Sequence, residues 1–156
     1  MIYTYVKTPI GALFVARNEA GLTSIGFEKK GRRMEPEDGW AREDAAFGDA
    51  REQLAAYFAG TLRAFDLPLA PRGTPFQLDV WNALCAIPYG QTRSYSQIAQ
   101  TIGRPDAVRA VGAANGANRL PIVIPCHRVI GANGSLTGFG GGMATKRFLL
   151  DLELYV

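Results

Sequence analysis

The chain is short of the residues that most often carry chemistry, with one histidine, His127, and two cysteines, Cys85 and Cys126, among 156 residues. Two cysteines set so far apart do not make a disulfide framework. Reduced thiols in a cytosolic protein are the simpler expectation, with a single Cys85 to Cys126 bridge as the alternative. Zinc is poorly served as well. A structural zinc takes about four Cys or His ligands and a catalytic one about three protein ligands, and the chain has no CxxC or HxxxH spacing. Neither a metal nor another cofactor is expected. No stretch approaches the ~20 apolar residues that span a bilayer, and no basic segment leads into an apolar stretch near Met1. The expectation is a cytoplasmic protein with no membrane partner.

Acidic residues are also missing, but from one region only. Residues 84–131 carry Arg93, Arg104, Arg109, Arg119 and Arg128 against the single acid Asp106, whereas 35–49 is acid-rich. The total of 17 basic against 14 acidic residues permits a polyanionic partner, and the asymmetry favours a basic face on the C-terminal half. With 47% hydrophobic residues the chain has enough apolar surface for a core, in one ordinary domain or two small lobes.

The N-terminal part reads as strands. "IYTYV", "ALFVA" and "LTSIGF", with the turn signal "NEAG" before the third, predict a small antiparallel meander. Residues 28–40 read as a polar loop. "DAREQLAAYFAG" (49–60) places Leu54, Tyr57 and Phe58 at helical spacing with Gly60 as a stop, and "AFDLPL" reads as one more strand. "PLAPRGTP" (68–75) marks a boundary, giving lobes of 1–70 and 71–156. Beyond it Thr74, Pro75 and Gln77 form a capping box that opens a helix with Phe76, Val80, Leu84 and Ile87 as its apolar stripe. Cys85, beside that stripe, reads as core.

Ser94 and Gln97 form a second capping box, and Gly103 ends the helix it opens. A further helix through "AVRAVGAANGAN" then completes a helix-turn-helix pattern. On this last helix Val108, Val111 and Asn115 share one face, and Arg109, Gly112, Ala113 and Gly116 another. Two mid-helix glycines cost about 1 kcal/mol each relative to alanine. Close approach of a bulky partner or tight packing inside the protein would each offset that cost, and an arginine heading a smooth face favours nucleic acid.

"LPIVIPCHRVIG" (120–131) sets His127 directly after Cys126. A free thiol has a pKa of ~8.5, so a nucleophilic Cys126 needs a base and an acid to orient that base. Neighbouring side chains diverge, so a bridging water is the natural proton carrier from Cys126 to His127. Glu153, near Leu149, Leu150 and Val156 at helical spacing, is the candidate acid; a solvated glutamate near the end of the chain is the alternative.

"PCHRVIG", preceded by "RAVGAANGANRLPIVI" and followed by "GSLTGFGGGMATKRFLLDLE", resembles the O6-alkylguanine-DNA alkyltransferase family, the methylated-DNA-protein-cysteine methyltransferases. The resemblance is close over 74–155 and loose over the N-terminal meander. It implies an α+β protein, in which a small N-terminal antiparallel sheet domain with a helix (ribonuclease H-like) precedes a mainly helical DNA-binding domain. It also implies one irreversible transfer of a methyl or larger alkyl group from guanine O6 in DNA to Cys126, with thymine O4 as a second target left open.

By the same resemblance His127 is the base that acts through water, Glu153 orients it, and Asn118 organises the site. Tyr95 assists rotation of the nucleotide and hydrogen-bonds guanine N3. Arg109 enters the base stack, while Ala110, Gly112, Ala113 and Gly116 of the smooth helix, with Arg104, meet the minor groove. Pro121, Val129, Phe139, Gly140 and Gly141 surround the flipped base. The implied partner is double-stranded DNA containing O6-alkylguanine, bound by a monomer that joins the nucleoid when on DNA.

Two departures stand out. Zinc-bearing relatives use Cys and His in the first domain, and this chain has neither before Cys85, so that metal is not carried over. Some relatives have Tyr-Ser where Phe139 and Gly140 stand, which leaves backbone amides as the contacts to O6. Three rivals compete with this reading. A non-enzymatic lesion-binding protein would not need Cys126, His127 and Glu153 together. A thiol hydrolase would need direct Cys-His geometry. A helix-turn-helix transcription factor would need base-reading side chains, which the smooth face lacks apart from Arg109.

Overall fold

The structure, a computed structural model, describes residues 1–155. Val156, placed by the spacing on the apolar side of the last helix, lies outside the described residues. The chain forms two compact units, Met1–Pro71 and Arg72–Val156.

In the first unit β1 (Ile2–Thr8), β2 (Gly11–Arg17) and β3 (Leu22–Gly26) form the expected antiparallel meander, in register from Ile2 opposite Arg17 to Thr8 opposite Gly11. Asn18 shapes the β2–β3 turn, its Oδ1 accepting from the amides of Ala20 (2.8 Å) and Gly21 (3.1 Å). Gly21 has φ +153, and a Cβ there would lie 2.5 Å from the Pro68 carbonyl oxygen, so only glycine lets 68–70 run alongside.

A two-residue β4 (Ala41–Arg42) joins the sheet edge parallel to β1, giving the order β3-β2-β1-β4. A strand so short leaves no readable period in the sequence. A 3₁₀ turn at Asp44–Phe47 leads into α1 (Gly48–Phe58), which ends before Gly60 at φ +79 and buries Ala50, Leu54 and Tyr57.

The strand expected at "AFDLPL" does not form. Only an isolated parallel bridge between Leu22 and Leu69 is present. Pro68 has no N–H to give to a ladder, and the Gln53 side chain takes both the N–H (2.8 Å) and the carbonyl (2.9 Å) of Asp66.

The second unit is helical, with α2 (Pro75–Cys85), α3 (Tyr95–Thr101), α4 (Val108–Gly116) and α5 (Met143–Tyr155). Two-residue strands β5 (Arg93–Ser94) and β6 (Val129–Ile130) pair in parallel. Both capping boxes are present, Thr74 with Gln77 and Ser94 with Gln97, each worth about 1 kcal/mol. Helices α2, α3 and α4 pack through Val80, Trp81, Leu84, Ile98, Ala99, Val111 and Ala114, all buried. Each large apolar side chain in such a core contributes about 1.5–3 kcal/mol. The Trp81 indole N–H donates to the Ala114 carbonyl at 2.8 Å, tying α2 to α4.

Cys85 is exposed, against the expectation of a core residue. It is the last residue of α2, and the preceding position, Leu84, takes the place on the apolar stripe. Among the described residues, no helix is long and apolar enough to cross a membrane.

Candidate functional site

The buried run 120–129 leads to a 3₁₀ turn at Cys126–Arg128, all three residues of which are buried. A 3₁₀ turn advances about 120° per residue, so three consecutive side chains point three ways. His127 reaches α5, where its Nε2 lies 2.6 Å from Glu153 Oε2, both side chains being at most 1% exposed. Arg128 reaches the same carboxylate, with Nε on Oε1 at 2.7 Å and Nη2 on Oε2 at 3.0 Å, and its Nη1 donates to the Ile87 carbonyl at 2.7 Å. Glu153 is therefore no solvated glutamate. His127 Nδ1 is buried and has no hydrogen-bond partner among the described residues.

Cys126 is 5% exposed. Burial pushes its thiol up to about 11, against the opposing pull of an Asn118 hydrogen bond and the charge of Lys146. The resting sulfur is thus a thiol at neutral pH. Burial likewise lowers the basicity of His127, with Glu153 raising it and Arg128 and Lys146 lowering it further.

Asn118 follows α4. Its Oδ1 accepts from the Leu120 amide at 2.9 Å, and its Nδ2 donates to the Ile124 carbonyl at 2.8 Å. Between those contacts lies Ile122 at φ +75, a left-handed conformation strained for a β-branched residue. Asn118 thus clamps a strained turn that ends two residues before Cys126. Asn115 adds a longer bond from α4, Nδ2 to the Cys126 carbonyl at 3.4 Å.

Tyr95 opens α3 and its hydroxyl bonds the Thr137 hydroxyl. Lys146 on α5 is fully buried, with Nζ donating to the Val129 carbonyl at 2.6 Å and to the Thr137 carbonyl at 3.5 Å. Burial lowers its pKa and Cys126 raises it, so a thiolate and the ammonium would stabilise each other. Thr137 and Lys146 carry no expectation from the sequence, and Arg128, counted there with a basic face, is buried on Glu153 instead. A lysine in register with Leu149 and Glu153 on the apolar side of a helix was the readable signal for Lys146.

The residues expected at a DNA surface lie outside. Arg104, Arg109, Ala110, Ala113 and Gly116 are exposed and Gly112 is half-buried. Arg104 extends over the Phe76 ring at 5.6 Å. A Cβ on Gly112 would meet only Tyr95 at 3.8 Å, and one on Gly116 nothing within 4 Å. Packing inside the chain therefore demands neither glycine. Pro121 and Val129 are buried, Phe139 and Gly141 half-buried, and Gly140 exposed in the loop before α5.

Among the described residues no group of three His, Cys, Asp or Glu side chains is placed to hold a metal ion. A cavity of about 510 Å³ in the N-terminal unit is lined by Tyr5, Val6, Lys7, Ala12, Arg33, Arg42, Arg51 and Ala55. It includes none of the residues around Cys126.

Residues 75–155 match the family described as 6-O-methylguanine DNA methyltransferase, DNA binding domain, and residues 1–71 match its ribonuclease-like domain. The chain belongs to the 6-O-methylguanine DNA methyltransferase family. Among its relatives, the methylated-DNA–protein-cysteine methyltransferase of Methanosarcina acetivorans is 52% identical over 98% of each chain. The protein of that name from Mycobacterium tuberculosis is 51% identical over 97% of this chain and 91% of its own. The crystal structure of Mycobacterium tuberculosis OGT in complex with DNA superposes with a TM-score of 0.92 at 49% identity, covering 99% of this chain and 93% of that one. The resemblance carried by "PCHRVIG" and the α+β fold class are both borne out by these matches. The methyltransferase family thus supplies a context for a cysteine beside a carboxylate-held histidine.

Proposed function

We propose that this chain repairs DNA by direct reversal, taking a methyl or larger alkyl group from guanine O6 onto Cys126 once per molecule. The observation that carries this reading is the buried Cys126-His127-Glu153 set, in which the only histidine is held at Nε2 and open at Nδ1. A thiol near 11 is almost wholly protonated at neutral pH, so the nucleophile forms only as its proton leaves. A bridging water carries that proton from Sγ to His127 Nδ1. The thiolate forms a C–S bond to the alkyl carbon, and the C–O6 bond breaks with its electron pair passing to guanine. The Lys146 charge stabilises the thiolate, and hydrogen bonds from Tyr95 and the amides of 138–142 stabilise the leaving base. The product thioether is a poor leaving group, which limits the protein to one turnover.

An alkyl group inside a duplex is out of reach of a buried sulfur, so the nucleotide must be flipped out, at a cost of a few kcal/mol. Exposed Arg109 fills the vacated stack. Ala110, Gly112, Ala113 and Gly116 lie against the minor groove, which a smooth helix fits and a long-side-chain reader does not, and Arg104 compensates phosphate charge. Pro121, Val129, Phe139, Gly140 and Gly141 form the walls around the base. In this reading 71–156 carries the chemistry, 1–70 is a ribonuclease H-like lobe outside it, and a cytoplasmic monomer does the work.

Duplex DNA carrying labelled O6-methylguanine tests the proposal. Label transfer should saturate at one equivalent, survive Cys85→Ala and vanish in Cys126→Ala. Transfer by Cys126→Ala, or repeated turnover, overturns it.

A further inference from the structure

The proposed transfer requires His127 to accept a proton at Nδ1, and the inference below rests on that reading. Four donors converge on the Glu153 carboxylate. Oε1 faces Arg128 Nε at 2.7 Å and the Gly90 amide at 3.4 Å. Oε2 faces Arg128 Nη2 at 3.0 Å and His127 Nε2 at 2.6 Å. A guanidinium has five N–H donors in a fixed fork and no acceptor. With its fork across both oxygens, Glu153 serves as acceptor throughout, and the proton between Glu153 and His127 belongs on Nε2. The tautomer of the histidine is thus set by a residue that does not touch it through a hydrogen bond.

We propose that Arg128 is a positioning residue for alkyl transfer, whose fork on Glu153 fixes His127 as the neutral Nε2–H tautomer and leaves Nδ1 as its open proton acceptor. Neutrality matters as much as orientation, because an imidazolium cannot take the thiol proton. The charged groups acting on His127 are Arg128 from its own turn and Lys146 and Glu153 from α5, with the Cys126 thiol its neighbour in the chain. Helix α2, packed on the same turn, contributes Cys85, which feels the Arg128 charge. Of these groups Glu153 favours the imidazolium, while Arg128 and Lys146 oppose it. Removing Arg128 leaves the Glu153 charge to act on His127 unshared, and the imidazole then gains a proton at higher pH.

A single histidine makes the test direct, since the imidazole nitrogen spectrum of the whole chain belongs to His127. In the free wild-type protein, two-dimensional proton–nitrogen NMR should show one neutral Nε2–H tautomer at neutral pH, protonating below the ordinary imidazole midpoint. Arg128→Met should raise the protonation midpoint of His127. Its transfer rate should fall about tenfold near pH 6 and recover to within about twofold of wild type near pH 8. Arg128→Lys keeps the charge but not the fork, so its midpoint should stay low while Glu153, no longer gripped at both oxygens, turns from Nε2 and an Nδ1–H fraction appears.

An Nδ1–H tautomer in the wild type overturns the proposal, as does a pH-independent loss of rate in Arg128→Met. A single unchanged tautomer in Arg128→Lys overturns it too. If Arg128→Met does not fold, the wild-type spectrum and the lysine variant decide. A protein that shows the Nε2–H tautomer yet transfers no alkyl group refutes the proposed function instead, so the two failures are distinguishable.

Discussion

Both units contain arginine–carboxylate pairs, and the pairs live in opposite surroundings. In the N-terminal unit Arg17 meets Asp49 at 3.1 Å and Arg42 meets Asp44 at 2.9 Å, with side chains 17–55% exposed. In the C-terminal unit Arg128 meets Glu153 at 2.7 Å with side chains 8% and 1% exposed, and His127 and Lys146 lie fully buried nearby. Exposed pairs contribute little, because water screens the attraction and two side chains must be ordered. A buried pair bears a desolvation penalty that a hydrophobic replacement would avoid. Charges held in a core at that cost point to a task other than stability, here the holding of one imidazole and one thiol.

The largest break in this comparison should come from Glu153→Leu. It leaves Arg128 buried without its partner and should cost about 3–5 kcal/mol in chemical denaturation, together with transfer activity. A loss under about 1 kcal/mol would place Glu153 with the surface pairs.

The two units should also differ in where acid weakens them. His127 is held less basic than usual by burial, so the folded chain binds its proton less readily than the unfolded one. Stability associated with His127 is present above about 6.5 and declines as pH falls below that value. Asp44 is held below its usual 3.8 by its hydrogen bonds to Arg42 and Thr4. Its contribution is present above 3.8 and is lost only as pH falls beneath that. Denaturation midpoints followed across this range should drop first near 6.5, and His127→Gln should remove that step. The smallest effect belongs to Asp49→Ala, the 43% exposed partner of Arg17, at about 0–1 kcal/mol and weaker still in high salt; a cost of several kcal/mol would erase the contrast between the units.

What could be read in the sequence follows the same division between local and tertiary causes. Thr74 with Gln77 and Ser94 with Gln97 announce α2 and α3 because a capping box is complete within four residues. The Asn18 turn and the β1–β3 meander are likewise local. The segment containing Pro68 was misread because its backbone groups are satisfied by Gln53 and Leu22, distant in sequence. Cys85 was misread because one step of 100° around a helix separates a buried Leu84 from an exposed neighbour. At the site, the indirect geometry of Cys126 and His127 was readable from their adjacency, and Glu153 from its place beside the apolar side of α5. The place of Lys146 on the apolar side of α5 is local, but the parts of Arg128 and Thr137 depend on how α5 and the 131–142 loop fold over the turn, which no local pattern encodes.

The most direct measurement is peptide mass mapping of the whole protein after incubation with duplex DNA containing O6-methylguanine. One added methyl group per molecule is expected, confined to the peptide bearing Cys126, with guanine restored in the DNA and Cys85 unmodified. Methyl on Cys85, or guanine restored in excess of protein with no methyl retained, would contradict it.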